Sequence, residues 1–256
     1  MAIAKRAFAT VAPILAGTTF LLSSSTAQAA TSGCAALPDH KAVLAALTAV
    51  VESGNGGIFK PNMMWATLVD RSGSVCVVAK IGDAWPGSRV ISAQKANTAN
   101  AFSNDQLALS TANIFSAVQP GGSLFGLQHS NPVDADTAYD GNAARFGSAK
   151  DPLVGARIGG VNVFGGGLAL YATGNRSVLG GIGVSGDTSC SDHIIAWLMR
   201  ERLGLGHVPG GVSAAKDDNI IHDIDASGKS AGGFGHPVCS ADTTKLAGAL
   251  RTPNSK

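Results

Sequence analysis

Residues 159–203 read GGVNVFGGGLALYATGNRSVLGGIGVSGDTSCSDHIIAWLMRERL. Gly174-Asn175 separates the apolar run 168–171 from Val178-Leu179, the pattern of a β-hairpin closed by a tight turn. The second strand runs into GGIGVSGD, residues 180–187. Its glycines withdraw side chains from one face, so something must approach the backbone closely: a helix, a ligand or a second subunit. A helix follows, with Ser191 or Asp192 as its cap and Ile194, Ile195, Leu198 and Met199 as its buried stripe. Arg200 and Arg202 suit its C-terminal turn, and Gly204 stops it.

Two motifs in this stretch mislead. Gly181-Ile-Gly183-Val-Ser-Gly186 matches G-x-G-x-x-G, but a dinucleotide site needs a βαβ unit and an acid about 20 residues on. Here a hairpin feeds the strand, and the chain at that offset reads GLGHVPGG. Ser185 lacks the last glycine of a nucleophile elbow, because Asp187 stands at the fifth position.

Outward from the hairpin, 37–53 has helical spacing through Val43, Leu44, Leu47, Val50 and Val51, and Gly54 ends it. Strands are expected at 64–69 and 75–80, joined by Asp70-Arg-Ser-Gly73. A turn with Trp85-Pro86 leads to a helix opened by Ser88 or Arg89, which carries SAQKANTANAF, 92–102. A second helix is expected at 105–118, with Leu107, Ala108, Ile114 and Phe115 inward, then a short strand at 123–127. Residues 129–158 show no periodicity and read as a long loop, either functional or a surface-covering arm. The tail, 207–256, is loop-like with a last helix near 243–250. Helix, two strands, helices, a strand, a hairpin and a helix make an α+β arrangement, an antiparallel sheet flanked by helices.

The N-terminus reads as a signal peptide over 1–29: Lys5 and Arg6, an apolar run at 11–22 too short to span a bilayer, then Ala27-Gln28-Ala29. The expected product is periplasmic or secreted, with no membrane insertion. Loss of Lys5 and Arg6 from the 19 basic residues leaves 17 against 17 acidic ones, so nucleic-acid binding is not expected. All four cysteines follow the leader, and an even number in an oxidising compartment reads as two disulfides. Of three connectivities, Cys34–Cys76 and Cys190–Cys239 are favoured, tying the N-terminal segment to a strand and the tail to the hairpin helix. No C-x-x-C-H is present, which excludes covalent haem of the c type.

Two blocks, GGGLALYATGNRSVLGGIGVSG with Asp192 and Ala196 on the following helix, and the helix SAQKANTANAF, together resemble the GlcG/HbpS family, also called the haem-degrading or DUF336 family. The match covers roughly 37–203; it lacks the proline usual after the glycines of the first hairpin strand, since Gly166-Gly167 is followed by Leu168-Ala169. The resemblance implies a profilin-like sheet, symmetric homo-oligomers, and haem, a related tetrapyrrole or its iron as ligand. The domain expected is 30–205, with 130–158 inserted and 206–256 as an extension packed on it.

The candidate binding set is Lys95, Asn97, Thr98 and Phe102 from the helix, with Gly166, Gly167, Ser185, Gly186 and Asp187 from the hairpin. Lys95 would meet a propionate or else face solvent; Thr98 would contact the metal, as the resemblance implies, or else pack. Backbone N–H groups at 185–188 precede a helix and suit an anion. Among the histidines, His193 and then His129 are the candidate axial ligands. The acids of the tail, Asp217, Asp218, Asp223 and Asp225 with His222, offer hard ligands but fail the EF-hand pattern. No organised acid–base pair is visible. A haem-binding oligomer is the leading expectation; an enzyme acting on a small organic acid, or a sensor or assembly module, are the alternatives.

Overall fold

A computed structural model describes residues 33–59, 63–174 and 176–251. The leader, 1–29, and Asn175 of the hairpin turn lie outside the described residues. In chain order the helices are α1 (His40–Glu52), α2 (Pro86–Ala101), α3 (Thr111–Ile114), α4 (Leu127–Ser130), α5 (Ala135–Tyr139), α6 (Ser189–Arg202) and α7 (Ala241–Ala249). The strands are β1 (Met64–Asp70), β2 (Val75–Ile81), β3 (Gly167–Tyr171) and β4 (Val178–Ser185). They form one antiparallel sheet in the order β2-β1-β4-β3.

Side-chain alternation on β4 sorts the helices into two layers. Ile182 and Val184 point into a core with Val43 and Leu47 of α1 and Ile194 and Ile195 of α6. Gly181 and Gly183 face the other way, against α2. A Cβ at Gly183 would strike the Ser92 carbonyl oxygen, and one at Gly181 the Ala96 carbonyl oxygen. The close partner of the glycine strand is therefore a helix of the same chain. On this side Val90, Ala93 and Ala96 of α2 pack with Trp65, Val69 and Val78 of the sheet. Every residue of β1 is buried, as a strand covered on both faces requires.

Local expectations fail where tertiary bonds compete for the backbone. No helix spans 105–118. The Asn104 side chain takes the N–H groups of Gln106 and Leu107, and Ala108 N–H donates to the Gly210 carbonyl, leaving only α3 and a 3₁₀ turn, Ser116–Val118. Leu107, expected inward, is 37% exposed. No strand forms at 123–127; the segment turns into α4. Helix α2 begins at Pro86, two residues before Ser88, and α6 is capped by Thr188, with Ser191 and Asp192 buried inside its first turn. The segment 129–158 holds α5 and a 3₁₀ turn, Ala143–Arg145, and sends Ala138, Leu153 and Ile158 into the α2-side core. Its Asp151 pairs with the buried Arg89 of α2 at 2.5 Å.

Both favoured disulfides are present, Cys34–Cys76 and Cys190–Cys239. The tail packs on α6, where Asp218 receives a bidentate pair from Arg200 at 2.6 and 2.8 Å. Arg200 stands in the last turn of α6, as expected, and is fully buried by this pair. No helix among the described residues is long and apolar enough to cross a membrane.

Candidate functional site

Helix α2, the end of β4 and the first turn of α6 enclose a pocket of about 290 Å³. Its floor is an ion pair. Lys95 donates to Asp192 Oδ2 at 2.7 Å and to the Val184 carbonyl at 3.0 Å, and Lys95 is 1% exposed. Desolvation lowers Lys95 from its ordinary value and pushes Asp192 up to about 6, with mutual attraction opposing both shifts. Gly166, at φ +114°, makes room: a Cβ there would lie 2.9 Å from Asp192 Cβ and 3.1 Å from Lys95 Nζ. Gly167 meets the Lys95 carbonyl in the same way. These two glycines serve packing around the pair and do not line the pocket.

Asp187 ties the entrance down. Its carboxylate accepts from the N–H groups of Ile58 (3.1 Å), Phe59 (2.9 Å) and Thr188 (2.6 Å), while its own N–H donates to Asp192 Oδ1 at 3.0 Å. Two of the amides offered to an anion at 185–188 are therefore already taken by carboxylates of the chain. The Phe59 ring stands 5.0 Å from Trp85, whose carbonyl accepts from Trp65 Nε1 at 2.9 Å. Trp85 and Phe164 remain half exposed and complete an aromatic rim. Ser88, Ser185 and Ser189 contribute hydroxyls between rim and floor.

Of the expected set, the pocket gathers Lys95, Ser185, Gly186 and Asp187. Asn97 and Phe102 line a separate depression of about 510 Å³ beside Leu127 and Pro132. Thr98 is fully buried; its hydroxyl donates to the Gln94 carbonyl (2.7 Å) and accepts the Asn162 N–H (3.0 Å), so its bonding is satisfied within the chain. His193 is buried at the interface with the tail, with Nε2 3.1 Å from Ile220 N and 3.3 Å from Asn219 Oδ1. His129 is exposed at the end of α4. Neither histidine lines the pocket. The tail acids do not converge: Asp217 bonds Ser213, Asp218 pairs with Arg200, Asp223 takes Ser230 and Gly232, and Asp225 takes Ser227. Phe59, Trp85, Phe164 and Ser189 escape a residue-by-residue search for ligands, because aromatic and hydroxyl side chains carry no such signal until the fold assembles them. Asp192, marked in the sequence as a helix cap and as part of the family resemblance, joins the site through its pair with Lys95.

Burial holds two histidines neutral, His193 down to about 3 and His236 down to about 4. Both values lie below the unfolded one, so the unfolded chain binds more protons as pH falls below about 6.5. Stability is expected to be full above that pH and to fall by about 1.4 kcal/mol per pH unit for each histidine between pH 6 and 4. Urea denaturation at pH 7, 6 and 5 checks this. Asp192 and Glu201, pushed up by burial to about 6 and about 7, act in the opposite sense over the same range. The histidine contribution is therefore read from the difference between the parent and His236→Asn, which should change by about 1.4 kcal/mol per pH unit between pH 6 and 4. A difference that does not change with pH would contradict the neutral buried state.

Residues 39–198 match the model of a family described as "Haem degrading protein HbpS-like". An uncharacterized 15.0 kDa protein in the dhaT-dhaS intergenic region of Citrobacter freundii is 32% identical over 130 residues, 51% of this chain and 68% of that protein. Among solved structures, the Klebsiella pneumoniae protein ORFY is 28% identical, with 64% of this chain and 88% of that chain covered and a TM-score of 0.43. A PduOC:heme complex is 22% identical, with 66% and 94% covered and a TM-score of 0.46. The family match takes in the whole sheet, α1, α2 and most of α6, and the chain belongs to the haem-degrading, HbpS-like family.

Proposed function

We propose that this chain binds haem or a related tetrapyrrole at the aromatic-rimmed pocket, as an exported homo-oligomer. The observation that carries the reading is the mouth itself, where Phe59, Trp85 and Phe164 present apolar faces above a polar floor. The family supplies the ligand class. A planar apolar ring with carboxylate arms suits such a site: aromatic faces stack on the ring, and the serine hydroxyls receive the arms. At about 290 Å³ the pocket houses one edge of a macrocycle, leaving the rest for a neighbouring subunit to cover. The leader-like residues 1–29 and the two disulfides support export.

The described lining residues fit the ring but include no His, Cys, Met or Tyr, so no iron ligand is assigned to them. Bound haem would bring iron able to activate oxygen, and that chemistry belongs to the cofactor. The residues of the chain hold and orient the ring, and the Lys95–Asp192 pair keeps the floor rigid.

A haem titration of the mature, oxidised protein tests the reading. A saturable, shifted Soret band is expected. Trp85→Ala and Phe164→Ala should each weaken binding roughly tenfold, the worth of one aromatic contact, and His129→Ala should leave it unchanged. A spectrum equal to that of free haem sinks the proposal. A shifted band indifferent to Trp85 and Phe164 moves the ligand elsewhere.

A further inference from the structure

The Cys190–Cys239 bridge has a third partner. One ring nitrogen of His236 and the two sulfurs all lie within 4.8 Å of one another. His236 is 3% exposed, and its Nδ1 is 2.8 Å from the Pro237 carbonyl. A carbonyl only accepts, so Nδ1 carries the proton and Nε2 the lone pair. A backbone carbonyl fixes the tautomer of metal-bound histidines in the same way. Behind it, His222 Nδ1 donates to the His236 carbonyl at 3.1 Å, and the two rings meet edge-on at 6.5 Å. Cys190 is the second residue of α6 and is fully buried. The site adjoins the aromatic-rimmed pocket, since Ser189 lines that pocket and its Oγ is 3.7 Å from Cys239 Sγ. His236 and Cys239 lie beyond the residues matched to the family.

We propose that reduction of the Cys190–Cys239 disulfide creates a site for one thiophilic d¹⁰ cation of the Zn(II) type, held by both thiolates and the His236 imidazole. The reductant is a dithiol: its two sulfurs join as a disulfide and give up two protons and two electrons, and Cys190 and Cys239 become thiols. Binding of the cation then releases the two thiol protons. Tetrahedral coordination at Zn–S of about 2.3 Å requires the sulfurs to part to roughly 3.8 Å. The Cα atoms are 6.0 Å apart, so side-chain rotation accommodates this. A fourth position is left for water. The other bridge, Cys34–Cys76, has Asp70 beside it and no histidine. Asp70 Oδ1 already accepts from Ser72 and Ser74.

The test uses the full mature chain, reduced with a dithiol, freed of reductant and equilibrated with Zn(II) or, as a spectroscopic probe, Co(II). One Zn(II) should stay with each chain through gel filtration. Co(II) should give a thiolate charge-transfer band with tetrahedral d–d absorption. Cys34→Ser/Cys76→Ser should keep both signals, and Cys190→Ser/Cys239→Ser should lose both. His236→Ala should weaken retention by at least about tenfold, the loss seen even when a group that only positions a ligand is removed. Circular dichroism before and after the metal is added covers the case where reduction loosens the fold, and recovery of the native spectrum with Zn(II) is the expected result. Unfolding that Zn(II) does not reverse overturns the proposal. So do metal retention equal in His236→Ala, or signals that follow Cys34 and Cys76. None of these outcomes depends on haem.

Discussion

Gly183→Ala is expected to destabilise the chain by about 3 kcal/mol or more, enough to abolish folding in a marginally stable domain. The added methyl would meet the Ser92 carbonyl oxygen and the Ala96 amide nitrogen, both backbone atoms of α2. No rotamer relieves a clash with backbone, so α2 must lift from the sheet. That movement would separate Ala93 and Ala96 from their core and strain the Arg89–Asp151 and Lys95–Asp192 pairs, both anchored on α2. Gly87→Ala is the control on the same helix. Nothing lies within 4 Å of its Cβ position, and alanine is the better helix former, so a gain of about 0.5–1 kcal/mol is expected. Chemical denaturation followed by circular dichroism measures both. A Gly183→Ala protein as stable as the parent would show that α2 does not sit on β4 at backbone contact.

Lys95→Met is expected to cost about 3–5 kcal/mol, because it strands Asp192 in the interior without a counter-charge. Asp192 already sits near 6 through burial, and loss of the ammonium raises it further. A carboxyl whose folded value is raised above its unfolded one is stabilised when protonated, and stability drains as pH rises from about 4. The deficit of Lys95→Met should therefore be small at pH 5 and grow toward pH 8. Lys95→Met/Asp192→Leu should recover most of the loss, since an apolar pair of similar volume often equals a buried ion pair. Melting curves of the two variants at pH 5 and 8 test this. A pH-independent deficit, or no recovery in the double variant, would mean that the loss comes from packing rather than from a stranded charge.

Much of the architecture is legible in local pattern. The stripe Val43, Leu47, Val50 and Val51 makes α1; of the five residues marked by helical spacing, these four are buried and Leu44 is partly so. The turn at Gly174 joins β3 to β4, and the glycines of β4 announce a close approach. Paired blocks of residues also sufficed to mark the family. These signals survive because each depends on neighbours within a few positions, where backbone propensity and side-chain period act directly.

What approaches β4 was not readable, because the answer lies about 90 residues upstream. Lys95 had two local readings, ligand or solvated residue, and the fold chose a third by bringing Asp192 to it across 97 positions. Thr98 and His193 look like ligands as residue types, yet the Thr98 hydroxyl is engaged by Gln94 and Asn162, and His193 Nε2 by Asn219 and Ile220. The expected helix at 105–118 yielded to Asn104 and to a carbonyl of the distant Gly210. By itself the sequence determined the elements around the hairpin, the cysteine count and the family, all of which rest on short-range pattern. Only the tertiary structure decided which polar atoms stay free for a ligand, because burial and long-range pairing consume hydrogen-bonding capacity that no local pattern records.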